Sequence, residues 1–167
     1  ASVPGVRSLV SESGIGLVAG SNFSVGAHIF FALVEHAAAL VNSIEDYDIL
    51  AYEIHHSRKK DSPSGTALTI AEKILASNHR KTRVQTETLH RQRDADELHF
   101  GSIRGGSVPG IHTVMIDSAA DTVELRHTAR NRGGFALGAV LAAEWIAGKH
   151  GYFTVEEFIQ ELLKEAE

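Results

Sequence analysis

The chain has 167 residues, 43% hydrophobic and 22% charged, which suits one well-filled core and is too short for two full-sized domains. A formal net charge of −5 argues against a nucleic-acid partner, and the lack of cysteine excludes a disulfide scaffold, a thiolate nucleophile and a Cys-ligated zinc. No run approaches the roughly 20 apolar residues of a membrane span, and a cysteine-free chain fits a reducing compartment, so a cytoplasmic protein with no membrane partner is expected.

The chain opens at Ala-Ser-Val-Pro without an initiator Met and is read as a piece of a longer protein. Val6–Ser13 reads as the tail of a helix, and residues 15–20 as a buried strand bounded by Gly and Ser. Asn22 or Ser24 can cap a helix from Val25 to Ser43, whose apolar stripe includes Phe30, Val34, Ala38 and Val41. A strand is expected over Tyr47–His55, then a polar loop over Arg58–Ser62. Pro63 suits the first position of a helix running to Ala76 with Ser62 as its cap. Asn78–Glu97 is polar and without period. Strands follow at Leu98–Arg104, Ile111–Asp117 and Thr122–Thr128, then helices at Phe135–Ala147 and Thr154–Glu165. Thr154 and Glu157 form a capping-box pattern. The last two strands pair as a hairpin through a loop at Ser118–Asp121, setting Val114 opposite Leu125, Ile116 opposite Val123 and His112 opposite His127. This order predicts an α+β fold: a mixed sheet of about four strands with helices on one face. The other face keeps apolar residues and is expected to serve oligomerisation.

The chemistry concentrates in Glu53-Ile-His-His-Ser-Arg-Lys-Lys-Asp-Ser-Pro-Ser-Gly-Thr-Ala-Leu68. A helix N-terminus offers unpaired N–H groups and a positive dipole end to an anion. Gly65 allows close approach, Ser64 and Thr66 add hydroxyls, and Lys59 adds a full charge. Together these make a seat for a carboxylate or phosphate. His55 and His56 lie beside it, and histidine is the usual proton donor or acceptor near neutrality. On a continuing strand only one of the two would face the anion.

This segment resembles the signature Glu-x-His-His-x-x-Lys-x-Asp-x-Pro-Ser-Gly-Thr-Ala of dihydrodipicolinate reductases. Ser21-Asn-Phe-Ser-Val-Gly26 is similar to that family's junction between cofactor and substrate domains. Arg104-Gly-Gly-Ser-Val-Pro-Gly-Ile-His112, with His127, Arg132 and Phe135-Ala-Leu-Gly-Ala, is similar to its last strands and following helix. The resemblance implies reduction of dihydrodipicolinate, formed from hydroxytetrahydrodipicolinate, with NADH or NADPH in lysine biosynthesis. It implies His55 as the general acid, Lys59 as a residue that binds substrate and steadies charge, and His56 as a substrate contact. Ser64, Gly65 and Thr66 would hold a substrate carboxylate, while Phe23 and Arg132 would touch the cofactor. It further implies a homotetramer built through the open sheet face. Residues 1–22 would be the tail of a nucleotide-binding domain, and 23–167 the substrate-binding and assembly domain. No G-x-G-x-x-G turn precedes Gly16, so this chain alone is expected to be inactive. A non-catalytic assembly fragment is the alternative reading. A metal module, with His112 and His127 meeting across the hairpin, lacks the usual ligand spacing, and no metal is expected.

Overall fold

The computed structural model describes residues 3–164. In chain order the elements are α1 (Val3–Ser13), β1 (Gly16–Ala19), α2 (Val25–Leu40), β2 (Asp48–His55), α3 (Gly65–Ser77), β3 (Arg83–Gln85), β4 (Glu97–Arg104), β5 (Ile111–Asp117), β6 (Thr122–Thr128), α4 (Gly133–Trp145), β7 (Gly151–Thr154) and α5 (Val155–Lys164). They form two compact units, one comprising Ile29–Asn131 and the other the described residues on either side of it.

The central unit is the expected α+β layer, with five strands where about four were expected. Their order is β3-β4-β2-β5-β6. β3, β4 and β2 run parallel, while β5 and β6 each run antiparallel to their predecessor in the sheet. The hairpin has the expected register, His112 facing His127 and Val114 facing Leu125. Alternation on β2 buries Ile49, Ala51, Glu53 and His55 on one side. That side meets Leu98, Phe100, Val114 and Ile116 from neighbouring strands and the apolar stripes Phe30, Val34, Ala38 and Ala67, Ile70, Ile74 of the helices, all buried. At 0.8 kcal/mol or so per buried methylene this is the main stabilisation of the unit. The opposite side carries Leu50, 36% exposed, and Ile103, 53% exposed, beside the half-buried Tyr52, Ile54 and Met115.

In the flanking unit β1 and β7 pair in parallel, Gly16 facing Gly151. Ala142, Val155, Phe158 and Ile159 are buried there, packed with Val18, Phe23 and Trp145. The capping box forms as expected: Thr154 N donates to Glu157 at 2.7 Å and Glu157 N donates to Thr154 Oγ1 at 3.2 Å. Gly138 lies so close to Phe23 that a Cβ would stand 1.6 Å from the Phe23 carbonyl oxygen.

Several boundaries differ from expectation. β3 lies inside the stretch read as polar and without period, and β7 separates the last two helices. α2 ends at Leu40 rather than Ser43. α3 begins at Gly65 rather than Pro63, because Ser64, not Ser62, reaches the Ala67 N–H. α4 starts two residues before Phe135. The expected last residue of α5, Glu165, lies outside the described residues.

Candidate functional site

The alternation that buries Ile49 and Ala51 on β2 also carries an acid and a histidine inside. Glu53 is wholly buried, and a buried carboxylate must be surrounded by donors. Its Oε1 accepts from Arg104 Nη2 at 2.7 Å, Ser64 N at 2.9 Å and Ser102 Oγ at 3.0 Å. Its Oε2 accepts from Ser64 Oγ and faces His55 Nδ1 at 3.3 Å and His112 Nε2 at 3.4 Å. Sheet register supplies these partners: Ser102 and His112 flank Glu53 on the two neighbouring strands, and Arg104 pairs with His55. Burial alone would raise the Glu53 carboxyl, but hydrogen bonds from His112, Ser64 and Arg104 outweigh it and hold the group well below the usual carboxylate range.

His55 closes β2. Its carbonyl accepts from Gly105 N at 2.9 Å, and Ser57 N donates to Gly106 at 3.2 Å, so the turn after β4 clamps the strand end. The His55 ring meets His112 edge-on with centroids 5.1 Å apart, and His127 lies 6.4 Å beyond His112, against Phe30. Burial pushes the His55 imidazole down to about 4, against the pull of Glu53, and His112, Lys59 and Arg104 lower it further. Burial also lowers His127, with His112 adding to it.

Ser64 joins this cluster to α3. Its hydroxyl donates to Glu53 and accepts from Ala67 N at 3.1 Å, capping the helix. Among the described residues no acceptor is bonded to the Gly65 or Thr66 N–H, the first two of a 13-residue helix. A Cβ built on Gly65 would meet nothing within 4 Å. Lys59 stands 2.9 Å from Asp61 and holds that carboxyl below its ordinary value. Arg104 also donates to the Asp61 carbonyl at 2.7 Å. Through Glu53 and Arg104, then, the strand end, the 56–62 loop and the start of α3 are tied into one cluster.

The structure thus brings together His55, Lys59, Ser64, Gly65 and Thr66. His56 follows the end of β2, half-buried, with its Nδ1 buried and without a hydrogen bond among the described residues. Phe23 and Arg132 belong to the flanking unit. Phe23 lines a cavity of about 300 Å³ with Gly16, Leu17, Val18 and Ala142, and Arg132 is exposed just before α4. Sequence reasoning gave Glu53, Ser102 and Arg104 no role and weighed His112 only as a metal ligand. One signal was available: an acid and a histidine at the two positions that continue an aliphatic i, i+2 face.

Ligand atoms of Glu53, His55 and His112 lie within 4.8 Å of one another, the only such group among the described residues. Its chemistry suits a cation poorly. Glu53 already accepts four hydrogen bonds, and the Arg104 guanidinium holds a positive charge on the same carboxylate.

Known proteins similar to this chain share one description. A 4-hydroxy-tetrahydrodipicolinate reductase of Christiangramia forsetii is 40% identical over 95% of the chain and 64% of its own length. One from Archaeoglobus fulgidus is 39% identical over 86% of the chain and 57% of its own length. The solved structure of a dipicolinate-bound dihydrodipicolinate reductase from Paenisporosarcina sp. TG-14 superposes with a TM-score of 0.65 over 91% of the chain and 57% of its own, at 20% identity, and so supports the fold alone. The chain therefore spans little more than half the length of most of these proteins. The family model for the C-terminus of dihydrodipicolinate reductase matches residues 26–159. That stretch holds both Glu53 with its partners and the α3 N-terminus, and it places the chain in the dihydrodipicolinate reductase family.

Proposed function

We propose that the chain supplies the substrate site of a reductase acting on dihydrodipicolinate, derived from hydroxytetrahydrodipicolinate, in lysine and diaminopimelate biosynthesis. The observation that supports this reading is that the Gly65 and Thr66 N–H groups, with no acceptor bonded among the described residues, and Lys59 lie near the end of the strand that bears the buried His55. A dicarboxylate suits it, since one carboxylate can take the helix N-terminus and the other a lysine. Ser64 shapes the turn that presents those groups, and His56 adds a donor at its edge.

NADH or NADPH supplies the hydride in this reading. Phe23 and the exposed Arg132 fit such a dinucleotide as an aromatic surface and a cation for a phosphate, while the greater part of its binding would rest on residues outside this chain. His55 then protonates the reduced ring. In the protein as described its imidazole is neutral at pH 7, and a bound dianion raises its proton affinity. Substrate binding therefore favours the charged, proton-donating form of the histidine. Lys59 offsets the negative charge of the ring as hydride adds. The partly exposed side of the sheet, with Leu50, Ile54 and Ile103, would form the centre of a homotetramer. Calorimetry with pyridine-2,6-dicarboxylate, a planar analogue, tests the seat. Wild type should bind it and Lys59→Ala should bind it at least about tenfold more weakly; equal affinities would refute the assignment.

A further inference from the structure

We infer that Glu53 is a positioning residue that fixes the proton on His55 Nδ1, leaving Nε2 as the atom that takes up and delivers the catalytic proton. This rests on the reading of His55 as the proton donor, and its readout is independent of that reading.

Donors divide unequally between the two oxygens of Glu53. Oε1 receives three: Arg104, the Ser64 N–H and Ser102. Oε2 receives the Ser64 hydroxyl, with His55 Nδ1 at 3.3 Å and His112 Nε2 at 3.4 Å as its other near neighbours. His55 Nδ1 is buried and makes no aligned hydrogen bond, and Oε2 is an acceptor within reach of a small ring rotation. An ionised carboxylate cannot donate, so a nitrogen facing it is stable only as N–H. His55 must therefore carry its proton on Nδ1. By the same rule His112 must carry its proton on Nε2, which also lies 3.4 Å from the Ser64 hydroxyl. One carboxylate oxygen thus sets opposite tautomers in two touching rings.

The consequence is an unprotonated His55 Nε2 at the far side of the ring. A Cβ at Gly110 would approach that atom to 3.1 Å, so a larger residue there would crowd it. When His55 gains its second proton, Glu53 is the carboxylate beside it, and the cations facing the ring, Lys59, Arg104 and a protonated His112, oppose it.

The test is the ring-nitrogen chemical shifts of ¹⁵N-histidine-labelled protein at pH 7 without ligand. Wild type should show His55 as the Nδ1–H tautomer and His112 as the Nε2–H tautomer; His55 as Nε2–H would overturn the proposal, whatever its role in turnover. Glu53→Gln should invert the His55 tautomer. The three donors on the Oε1 side claim the amide oxygen, so the amide NH₂ faces Nδ1 and turns it into an acceptor. An unchanged tautomer in a folded variant would also overturn the proposal, and if the variant does not fold the wild-type spectrum decides alone. Since neither measurement needs the dicarboxylate, failure here is separable from failure of the anion seat.

Discussion

Arg104→Met removes one cation from a carboxylate that has no access to water. Breaking a buried ion pair from one side costs roughly 3–5 kcal/mol, because the remaining charge stays buried and uncompensated. Two features place Arg104 at the low end of that range. Its side chain is 17% exposed, and Glu53 keeps the two Ser64 donors and Ser102. The expected loss is about 3 kcal/mol at pH 7, and with a urea m-value near 2 kcal/mol/M the midpoint falls by about 1.5 M. The pH dependence is a sharper check. Glu53 is held below its unfolded value, so the stability it contributes is present above the ordinary glutamate pKa of about 4.3 and is lost as pH falls through the folded value. Without Arg104 the folded value rises toward normal. The gap between wild type and variant should therefore be full at pH 7 and narrow below about pH 4. Urea denaturation followed by circular dichroism at pH 7 and pH 3.5 measures both. Equal stability at pH 7, or a gap that widens in acid, would refute the view of Glu53 as an ionised hub.

Gly138→Ala should lower the melting temperature sharply, although alanine ordinarily favours a helix by about 1 kcal/mol over glycine, because its Cβ would collide with the Phe23 carbonyl at 1.6 Å. Thermal denaturation showing a variant as stable as wild type would place that contact elsewhere. Light scattering of the chain at micromolar concentration should give a tetramer, and Ile103→Asp, altering a residue 53% exposed on the open sheet face, should dissociate it. A wild-type monomer would remove the assembly proposal.

Much of the central layer was legible because it rests on local alternation. Val114 and Ile116 against Leu125 and Val123 leave a single register that keeps all four on one face, and it carries His112 to His127. β3 was not legible: Arg83–Gln85 is three residues long and shows no hydrophobic period. Nor was β7, four residues beginning with a glycine, whose pairing depends on β1 more than 130 residues away in the chain. The start of α3 was misplaced by two residues, since Ser62, Pro63 and Ser64 all suit a helix start and only tertiary contact with Glu53 selects Ser64. At the site, His55, Lys59 and the Ser64–Thr66 turn are consecutive enough to be read as one constellation. Arg104, Ser102 and His112 reach Glu53 through parallel and antiparallel pairing of three strands. Nothing in their local sequence announces that register.

In the proposed site a dicarboxylate sits between Lys59 and the first turn of α3, beside His55. Titrating ¹⁵N-labelled protein with pyridine-2,6-dicarboxylate while following backbone amides locates the ligand. Saturable shifts should be largest at Gly65 and Thr66, whose N–H groups would donate to the ligand, and should extend to Lys59 and Gly105. Saturable binding that leaves Gly65 and Thr66 unmoved, with shifts centred on another part of the chain, would contradict the account.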